Sequence, residues 1–279
     1  MKKLISFFTL FAVLFVYNSC SPNADRDGDL LFGVQTPVDS GTTNPSGTII
    51  KKVTTKDQNG VPSIISYTYT SNQLTSVSFG GIQNFDLTYT NGKITKIAST
   101  TNIGSITSVT NYKLNYTGNQ LTSVDESQDI GTGVTQNSTS VISYINGKVS
   151  KIRRGNFDFQ TPPQEQSYSS YDFTWNGNNL STVTNTSAIV AVPVPPTSQT
   201  FTYSSYDSKK NPFNTLPIEF NIATIFSFNA SLALQGFSAN NPTKITSGTD
   251  SGTFTYTYNS DGFPTSVTEN GQTSTYEYY

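Results

Sequence analysis

The side chains best able to do chemistry in this chain of 279 residues are carboxylates and aromatic rings, because the sequence contains no histidine. Histidine is the usual base for a serine or cysteine nucleophile and the commonest metal ligand. Two carboxylates can still supply the acid and base of a glycosidase. Five acidic residues near predicted loops or strand edges are candidates for such a pair: Asp125, Glu126, Asp158, Glu165 and Asp172. Each is more simply a solvated charge, so we predict a protein that is not an enzyme and binds no cofactor and no metal.

Aromatic residues offer a second chemistry, since flat rings stack on sugars and a tyrosine adds a hydroxyl group at little entropic cost. Four of them form our predicted ligand-binding set: Trp175, Tyr168, Tyr171 and Tyr206. The alternative is that these rings face a hydrophobic core. That alternative is stronger for Trp175, which belongs to a repeated sequence pattern, than for the three tyrosines, which lie near predicted loops.

The elements that would position these residues are repeated β-hairpins. The stretch from Tyr89 to Ile97 shows the unit, which we call the hairpin unit: an aromatic residue, four mostly polar residues, an apolar residue, two more residues and a second apolar residue. The unit recurs from Tyr69, Tyr116, Tyr144, Trp175 and Tyr258. Asn-Gly or Asp-Gly pairs usually follow the aromatic residue, and they accept the positive φ angles of a type I′ turn. Apolar and polar residues alternate on either side, which gives one face of aromatic and aliphatic residues and one of Thr and Ser.

We therefore predict one all-β domain over residues 48 to 279, an antiparallel meander of about 12 to 14 strands curled into a barrel or half-barrel. Between Pro217 and Gly236 the alternation gives way to apolar residues at helical spacing, with no internal Gly or Pro. We predict one short helix there, starting at an Asn221 cap and ending at a left-handed Gly236, that covers or plugs the apolar face. Strand alternation over the same stretch remains an open alternative.

The N-terminus has the layout of a secretory signal. Lys2 and Lys3 precede an apolar run that is too short to span a bilayer. We predict that residues 1 to 19 are a lipoprotein signal peptide and that Cys20, the chain's single cysteine, is lipidated. Residues 20 to 47 would then form a flexible tether, since they are poor in apolar residues. The expected location is the outer membrane, with the domain facing the periplasm or the cell surface.

Charge and cysteine content limit the partners. Loss of the signal would leave 14 basic and 18 acidic side chains, so no basic field would attract nucleic acid. A lipidated Cys20 leaves no thiol for a disulfide. The partners we expect are the membrane, reached through the lipid anchor, and a glycan or an envelope protein.

Two stretches look like degenerate tyrosine-aspartate (YD, RHS-like) repeats: Tyr258 to Val267, and Tyr206 to Pro212. With these, the region from 48 to 279 resembles uncharacterised lipoproteins of the Bacteroidota, assigned to a domain-of-unknown-function family with a porin-like fold. The resemblance implies a curled antiparallel sheet and brings no catalytic residue. Most units lack the Asp of true repeats, and the chain is too short to build a repeat shell.

The function we predict is a non-enzymatic module that binds glycan or protein and is presented by a lipid anchor. A structural envelope lipoprotein without a ligand, or a hydrolase that uses a carboxylate pair, are the alternatives. The alternation is also compatible with a transmembrane barrel, in which apolar residues would face lipid and polar residues the lumen. The tether and the many short strands favour a barrel that does not span the membrane.

Overall fold

The computed structural model describes residues 48–57, 59–129, 135–158, 160, 162–190, 192–227 and 230–279. The predicted signal peptide, the lipidation site Cys20 and the tether lie outside these residues. The described residues form sixteen antiparallel strands, each paired with its neighbours in sequence, and β1 pairs with β16 to close a barrel. The sheet is therefore a closed barrel and not a half-barrel.

The strands are β1 (Ile50–Lys56), β2 (Pro62–Thr70), β3 (Gln73–Phe79), β4 (Gln83–Thr90), β5 (Lys93–Ile103), β6 (Ile106–Thr117), β7 (Gln120–Asp129), β8 (Thr135–Ile145), β9 (Lys148–Phe157), β10 (Glu165–Asn176), β11 (Asn179–Ile189), β12 (Thr197–Lys210), β13 (Asn240–Ser247), β14 (Asp250–Tyr258), β15 (Pro264–Glu269) and β16 (Gln272–Tyr278). Our prediction of 12 to 14 strands was too low. The structure places Pro264 at the first position of β15 and Pro242 at a register shift between β12 and β13, where a missing N–H is tolerated.

The barrel has two different ends. The near end carries the connections that follow even-numbered strands, together with both ends of the barrel chain, where Tyr279 N donates to Ile49 O at 3.1 Å. The far rim carries the connections that follow odd-numbered strands. Two Asn-Gly turns of the near end confirm the type I′ prediction, because φ is positive at both central residues: 52° and 76° at Asn91 and Gly92, and the same angles at Asn146 and Gly147.

Alternation along the strands places apolar side chains inside the barrel and hydroxyl side chains outside it. In β2, Ile65 and Tyr67 are buried, while the residues between and after them are more exposed. The outer wall carries cross-strand hydroxyl pairs, such as Thr174 with Thr182 at 2.7 Å and Thr184 with Thr200 at 2.9 Å. This is the reverse of a transmembrane barrel, whose apolar residues face lipid.

Each hairpin unit contains a β-bulge, which explains its spacing. In β4 and β5 the register shifts between Thr88 and Tyr89, so that Tyr89 pairs with Ile94 and Thr95 has no opposite residue. The inserted residue lets Ile94 and Ile97, three positions apart, both point inward, although strand geometry alone would put them on opposite faces. The same shift occurs in the units of Tyr69, Tyr116, Tyr144, Trp175 and Tyr258.

The bulge also presents a backbone carbonyl, which accepts a hydrogen bond from the aromatic residue of the next hairpin. We call the five donors Tyr89, Tyr116, Tyr144, Trp175 and Tyr206 the aromatic ladder. Their acceptors are the carbonyls of Leu74, Ile94, Leu121, Val149 and Leu180, at 2.8 to 2.9 Å. Burial raises the pKa of Tyr89 and of Tyr144 to about 12, with a smaller contribution from the charge of Glu219, so both hydroxyls remain donors at neutral pH. The ladder thereby links successive hairpins at the near end.

A helical segment joins β12 to β13 at the near end. It contains a 3₁₀ turn (Pro212–Thr215) and two short helices, α1 (Ile218–Thr224) and α2 (Ala230–Gln235), rather than one helix. The N-cap of α1 is Pro217 and not Asn221, which lies buried inside the helix. Gly236 is not among the residues with positive φ. Its role is close approach, since a Cβ at position 236 would lie 2.7 Å from Asn221 Cγ.

Aromatic contacts join this segment to the inner wall. Phe220 of α1 packs edge-on against Phe85 with ring centroids 5.7 Å apart, and Phe237 stacks on Phe173 at 5.0 Å. The apolar interior of the near half therefore includes residues from the wall and from the helices. Neither helix, nor any other among the described residues, has the length and hydropathy needed to cross a membrane.

Candidate ligand site in the barrel lumen

A cavity of about 330 Å³ lies inside the barrel, between α2 and the wall formed by strands β10 to β16. Its size is at the lower end of the range of roughly 300 to 1,000 Å³ that is usual for small-molecule sites. Six aromatic residues line it: Tyr171, Phe201, Tyr203, Phe254, Tyr256 and Tyr276. Its polar lining includes Asn185, Gln199, Ser231, Gln235, Ser247 and Asp250. The site combines ring faces with amide and hydroxyl groups.

Strand alternation explains why these residues face the same space. In β12, Gln199, Phe201 and Tyr203 are two positions apart and all line the cavity. In β14, Phe254 and Tyr256 do the same. On the side that faces the near end, the cavity is bounded by residues of α2.

The cavity reaches the far rim. Ser247 and Asp250 pair directly on either side of the β13–β14 turn, and Asp250 is exposed to solvent. Gln199 Nε2 donates to Ser247 Oγ at 3.1 Å, which fixes the amide at this level of the lumen. Deeper in the cavity, Asn185 of β11 lies directly opposite Tyr171 of β10, and both side chains belong to the lining. Polar groups therefore follow the cavity from its mouth to its inner wall.

The electrostatics favour an uncharged ligand. Burial raises the pKa of Tyr203, of Tyr256 and of Tyr276 well above the ordinary value, so these tyrosines stay neutral at physiological pH. Asp250 is the one charged group among the described residues that line the cavity, and it lies at the mouth. Neither lysine nor arginine belongs to that lining, so an anionic ligand would find no countercharge there.

The barrel resembles solved structures in fold. It is similar to a porin-like protein from Bacteroides vulgatus, with a TM-score of 0.51 and 11% sequence identity over 84% of this chain and 99% of that one. A porin-like protein from Bacteroides uniformis matches with a TM-score of 0.47 and 16% identity over the same shares of the two chains. No family model and no curated protein matches the sequence. The porin-like fold that we predicted is confirmed, while the family of unknown function and the tyrosine-aspartate repeats stay predictions.

Of the four predicted ligand-binding residues, Tyr171 lines the cavity. Tyr206 lies behind the cavity wall, where its ring stacks on Tyr203 with centroids 6.3 Å apart and an interplanar angle of 12°. Its hydroxyl belongs to the aromatic ladder, and burial raises its pKa to about 12. The structure therefore places Tyr171 in the lining of the cavity and Tyr206 outside it.

The other two predicted residues lie elsewhere. Trp175 belongs to the aromatic ladder at the near end, and Lys148 Nζ lies 5.3 Å from its ring centroid. Tyr168 lies on the outer wall, because strand alternation in β10 puts it on the face opposite to Tyr171. Its ring is covered by the Arg153 guanidinium at 4.3 Å. The four residues therefore do not form one site.

The five candidate carboxylates do not converge either. Glu126 faces the lumen and pairs with Arg154 at 2.6 Å. Burial raises the pKa of the Glu126 carboxyl, an effect that the positive charge of Arg154 partly offsets. Glu165 pairs with Arg153 on the outer wall at 2.7 Å.

The remaining three carboxylates are also held by neighbours. Asp172 pairs with Lys151 at 2.9 Å, and Asp125 accepts from Asn115 Nδ2 at 2.8 Å. Asp158 accepts from the backbone N–H of Gln164 at 2.8 Å. Each of the five carboxylates is therefore bound to a partner of its own, and no two of them share one.

Sequence reasoning missed most of the lining residues. Tyr203 and Tyr256 alternate with polar neighbours just as core residues do. The local sequence pattern therefore does not distinguish a ring that borders a cavity from a ring in a packed core. The signal that could have found them is regional: Asp172 and Asp207 bound 34 residues without a charged side chain. That stretch supplies β11, most of β12 and two of the three amides of the site, Asn185 and Gln199.

Proposed function

We propose that this protein is a non-enzymatic envelope lipoprotein that binds a glycan in the lumen cavity. The observation that carries the proposal is the cavity itself, in which tyrosine and phenylalanine rings alternate with amide and hydroxyl groups. Sugars present apolar C–H faces and hydroxyl edges, and this lining offers a partner to each. The lack of a countercharge in the lining fits a neutral sugar unit.

In this proposal the barrel is closed at the near end and open at the far rim. Three features support closure of the near end by the helical segment: the Phe220 and Phe237 contacts with the wall, the buried side chains of α1, and the tight turns on that side. Ligand would then enter and leave at the far rim, where Asp250 marks the mouth. A pore would need a continuous aqueous path instead.

Lipidation of Cys20 would anchor the barrel to the outer membrane. The signal-like N-terminus supports export, and the porin-like fold is compatible with an envelope protein. Cells grown with a clickable palmitate analogue should label the wild-type protein and not the Cys20→Ser variant. Equal labelling of both forms would contradict lipidation at this residue.

The glycan proposal is tested with the chain from residue 20 onward, carrying Cys20→Ser, on an array of bacterial and host polysaccharides. We expect saturable binding to one glycan class. Ser231→Trp, which places a bulky ring in the cavity from the exposed side of α2, should weaken binding at least tenfold. Tyr171→Ala should do the same, and circular dichroism would confirm that both variants remain folded.

The matched control is Tyr168→Ala on the outer wall, which should leave glycan binding unchanged. If Tyr168→Ala abolished binding while Ser231→Trp did not, the site would lie on the outer wall and the lumen proposal would be wrong. If wild-type protein bound no glycan, a structural role without a ligand would become the better explanation.

A further inference from the structure

Large apolar side chains are exposed mainly at the far rim. Of the ten that are most exposed among the described residues, seven lie in three far-rim connections or at the strand ends that border them. One is Val61, in the connection after β1. The other six form what we call the apolar tips: Ile103 at the end of β5 and Ile106 at the start of β6, and Ile189 at the end of β11 with Val190, Val192 and Val194 in the connection that follows it. Solvent reaches 42% to 61% of these six side chains.

From these tips we infer a second membrane contact: the apolar tips rest in the interfacial layer of a lipid bilayer. This contact is separate from the predicted lipid anchor and does not depend on the nature of the lumen ligand. Four observations lead to it: the paired N–H groups of the β11–β12 tip, the lack of charged residues in both tip stretches, the position of the tips on the rim, and the length of chain between Cys20 and the barrel.

The backbone of the β11–β12 tip is suited to a medium that offers no hydrogen bonds. The Val190 N–H donates to Gln166 O and the Val194 N–H to Val192 O, both at 2.8 Å. Three further residues of the tip have no N–H to satisfy: Pro193, Pro195 and Pro196. Most of the donors that lipid would leave unpaired are therefore already used or missing.

Both tips lie in long uncharged stretches. No charged residue occurs between Lys96 and Lys113 or between Asp172 and Asp207. Entry of these tips into the interface would therefore remove no ion from water, which is the largest cost of membrane contact. The tips contain branched aliphatic residues and no Trp, Tyr or Arg, the residues that usually anchor protein interfaces. This composition favours a lipid partner over a protein partner.

The placement of the tips fits a flat partner. The two connections lie six strands apart in a ring of sixteen, so they stand on well-separated parts of the rim. The strands that carry them have 11 to 14 residues, whereas β1, β3, β15 and β16 have 6 or 7, and the tips therefore reach further from the near end. A plane can touch both tips at once, while a peptide in a groove would reach one of them.

Chain length permits the contact on the same bilayer that holds the anchor. The barrel chain begins at the near end, and about 28 residues separate Cys20 from residue 48. Fully extended, such a segment spans up to ~92 Å, more than twice the ~40 Å of a strand of twelve residues. Lipid on Cys20 and the apolar tips would then both contact one bilayer.

The test is flotation with vesicles of phosphatidylcholine, using the chain from residue 20 with Cys20→Ser so that no lipid is attached. All strand pairs of the barrel form within residues 50 to 278, so its fold does not need the lipid. We expect wild-type protein to float with the vesicles, insensitive to salt. The double variant Val192→Asp/Val194→Asp should float at least tenfold less.

Ile145→Asp is the matched control. Ile145 is 65% exposed, at least as much as the tips, but it lies at a near-end turn, so its replacement should leave flotation unchanged. Equal loss in this variant, or no flotation of wild-type protein, would overturn the inference. So would a wild-type dimer in sedimentation that Val192→Asp/Val194→Asp dissociates without lipid, because the tips would then cover a second copy.

A second readout remains valid if the aspartates disturb the fold. Because Cys20 is the single cysteine of the chain, Val194→Cys in the Cys20→Ser background gives a unique site for an environment-sensitive dye. Its emission should shift to the blue on addition of vesicles, and the same dye at Ile145→Cys should not shift. Equal shifts at both positions, or none at position 194, would contradict rim contact.

Discussion

The two ends of this barrel are built from the same strands but differ in how their connections are held. At the near end, tight turns such as Asn91 and Gly92, bulges and the aromatic ladder fix one hairpin to the next, and helices pack against the wall. At the far rim the connections vary in length, the lumen keeps a cavity, and apolar side chains stay exposed. From this difference we infer that the hairpin unit stabilises the near end, while the connections of the far rim can vary without disturbing it.

The largest effect should come from opening a cavity where the barrel wall packs against the helical segment. Phe85 is buried and contacts both Phe79 and Phe220 edge-on. Phe85→Ala should lower the free energy of unfolding by about 3 to 5 kcal/mol, from lost burial and a residual cavity. Urea unfolding followed by circular dichroism measures it. Ile106→Ala at the far rim, where the side chain is exposed, should change the same quantity by less than about 0.5 kcal/mol.

A second experiment tests the aromatic ladder alone. Tyr144→Phe removes the donor to the Leu121 carbonyl while it keeps the ring, and should cost about 1 to 2 kcal/mol of unfolding free energy. Tyr168→Phe on the outer wall is the control, and should cost less than about 0.5 kcal/mol. Equal costs in urea unfolding would mean that the ladder does not stabilise the near end.

A smaller effect should come from the ion pair in the lumen, between the two ends. Burial raises the pKa of the Glu126 carboxyl in the folded state above its ordinary value near 4.5. At a pH between the unfolded-state pKa and the folded-state pKa, the folded state therefore holds a proton that the unfolded state has released. The contribution of Glu126 to the free energy of unfolding should therefore fall as pH rises through this interval.

Glu126→Gln removes this titration, although it also leaves Arg154 without its charged partner. The readout is the difference in unfolding free energy between wild type and Glu126→Gln, measured by urea at several pH values from 4 to 7. Wild type should lose stability relative to the variant as pH rises. A constant difference over that range would mean that Glu126 titrates at its ordinary pKa when folded.

The smallest effect should come from lengthening the far rim. Two glycines inserted between Val194 and Pro195 should lower the unfolding free energy by no more than ~0.6 kcal/mol, the loop-closure cost of doubling a flexible loop. The same insertion between Asn91 and Gly92 should cost more, because it replaces a type I′ turn that matches the strand twist. Thermal unfolding of the two insertion variants measures this. Similar unfolding midpoints would mean that the far-rim and near-end connections do not differ in their contribution to stability.

The sequence predicted the all-β hairpins and the near-end turns because these depend on neighbours in the chain. Closure depends on Ile50 meeting Tyr278, a pairing that no local pattern signals. The helical segment was read as one helix since periodicity does not mark where a short helix stops. Tyr171, which we predicted to bind ligand, lines the cavity. Tyr203 and Tyr256 were not singled out, because the position of α2 determines which inward-facing rings border the cavity.

The seam between β1 and β16 has a consequence for how the molecule forms. Lys52 bonds Glu277 at 2.8 Å across 225 positions of sequence, whereas nearly every other strand meets its partner within a short hairpin. Contacts of such long range form late, since the chain loses most freedom in making them. We expect the hairpins to form first and to pair into an open sheet. The sheet then closes when β1 pairs with β16 and Tyr279 packs against the ring of Tyr69, and we expect this last step to be rate-limiting. Until that event, two unpaired strand edges would be open to other chains.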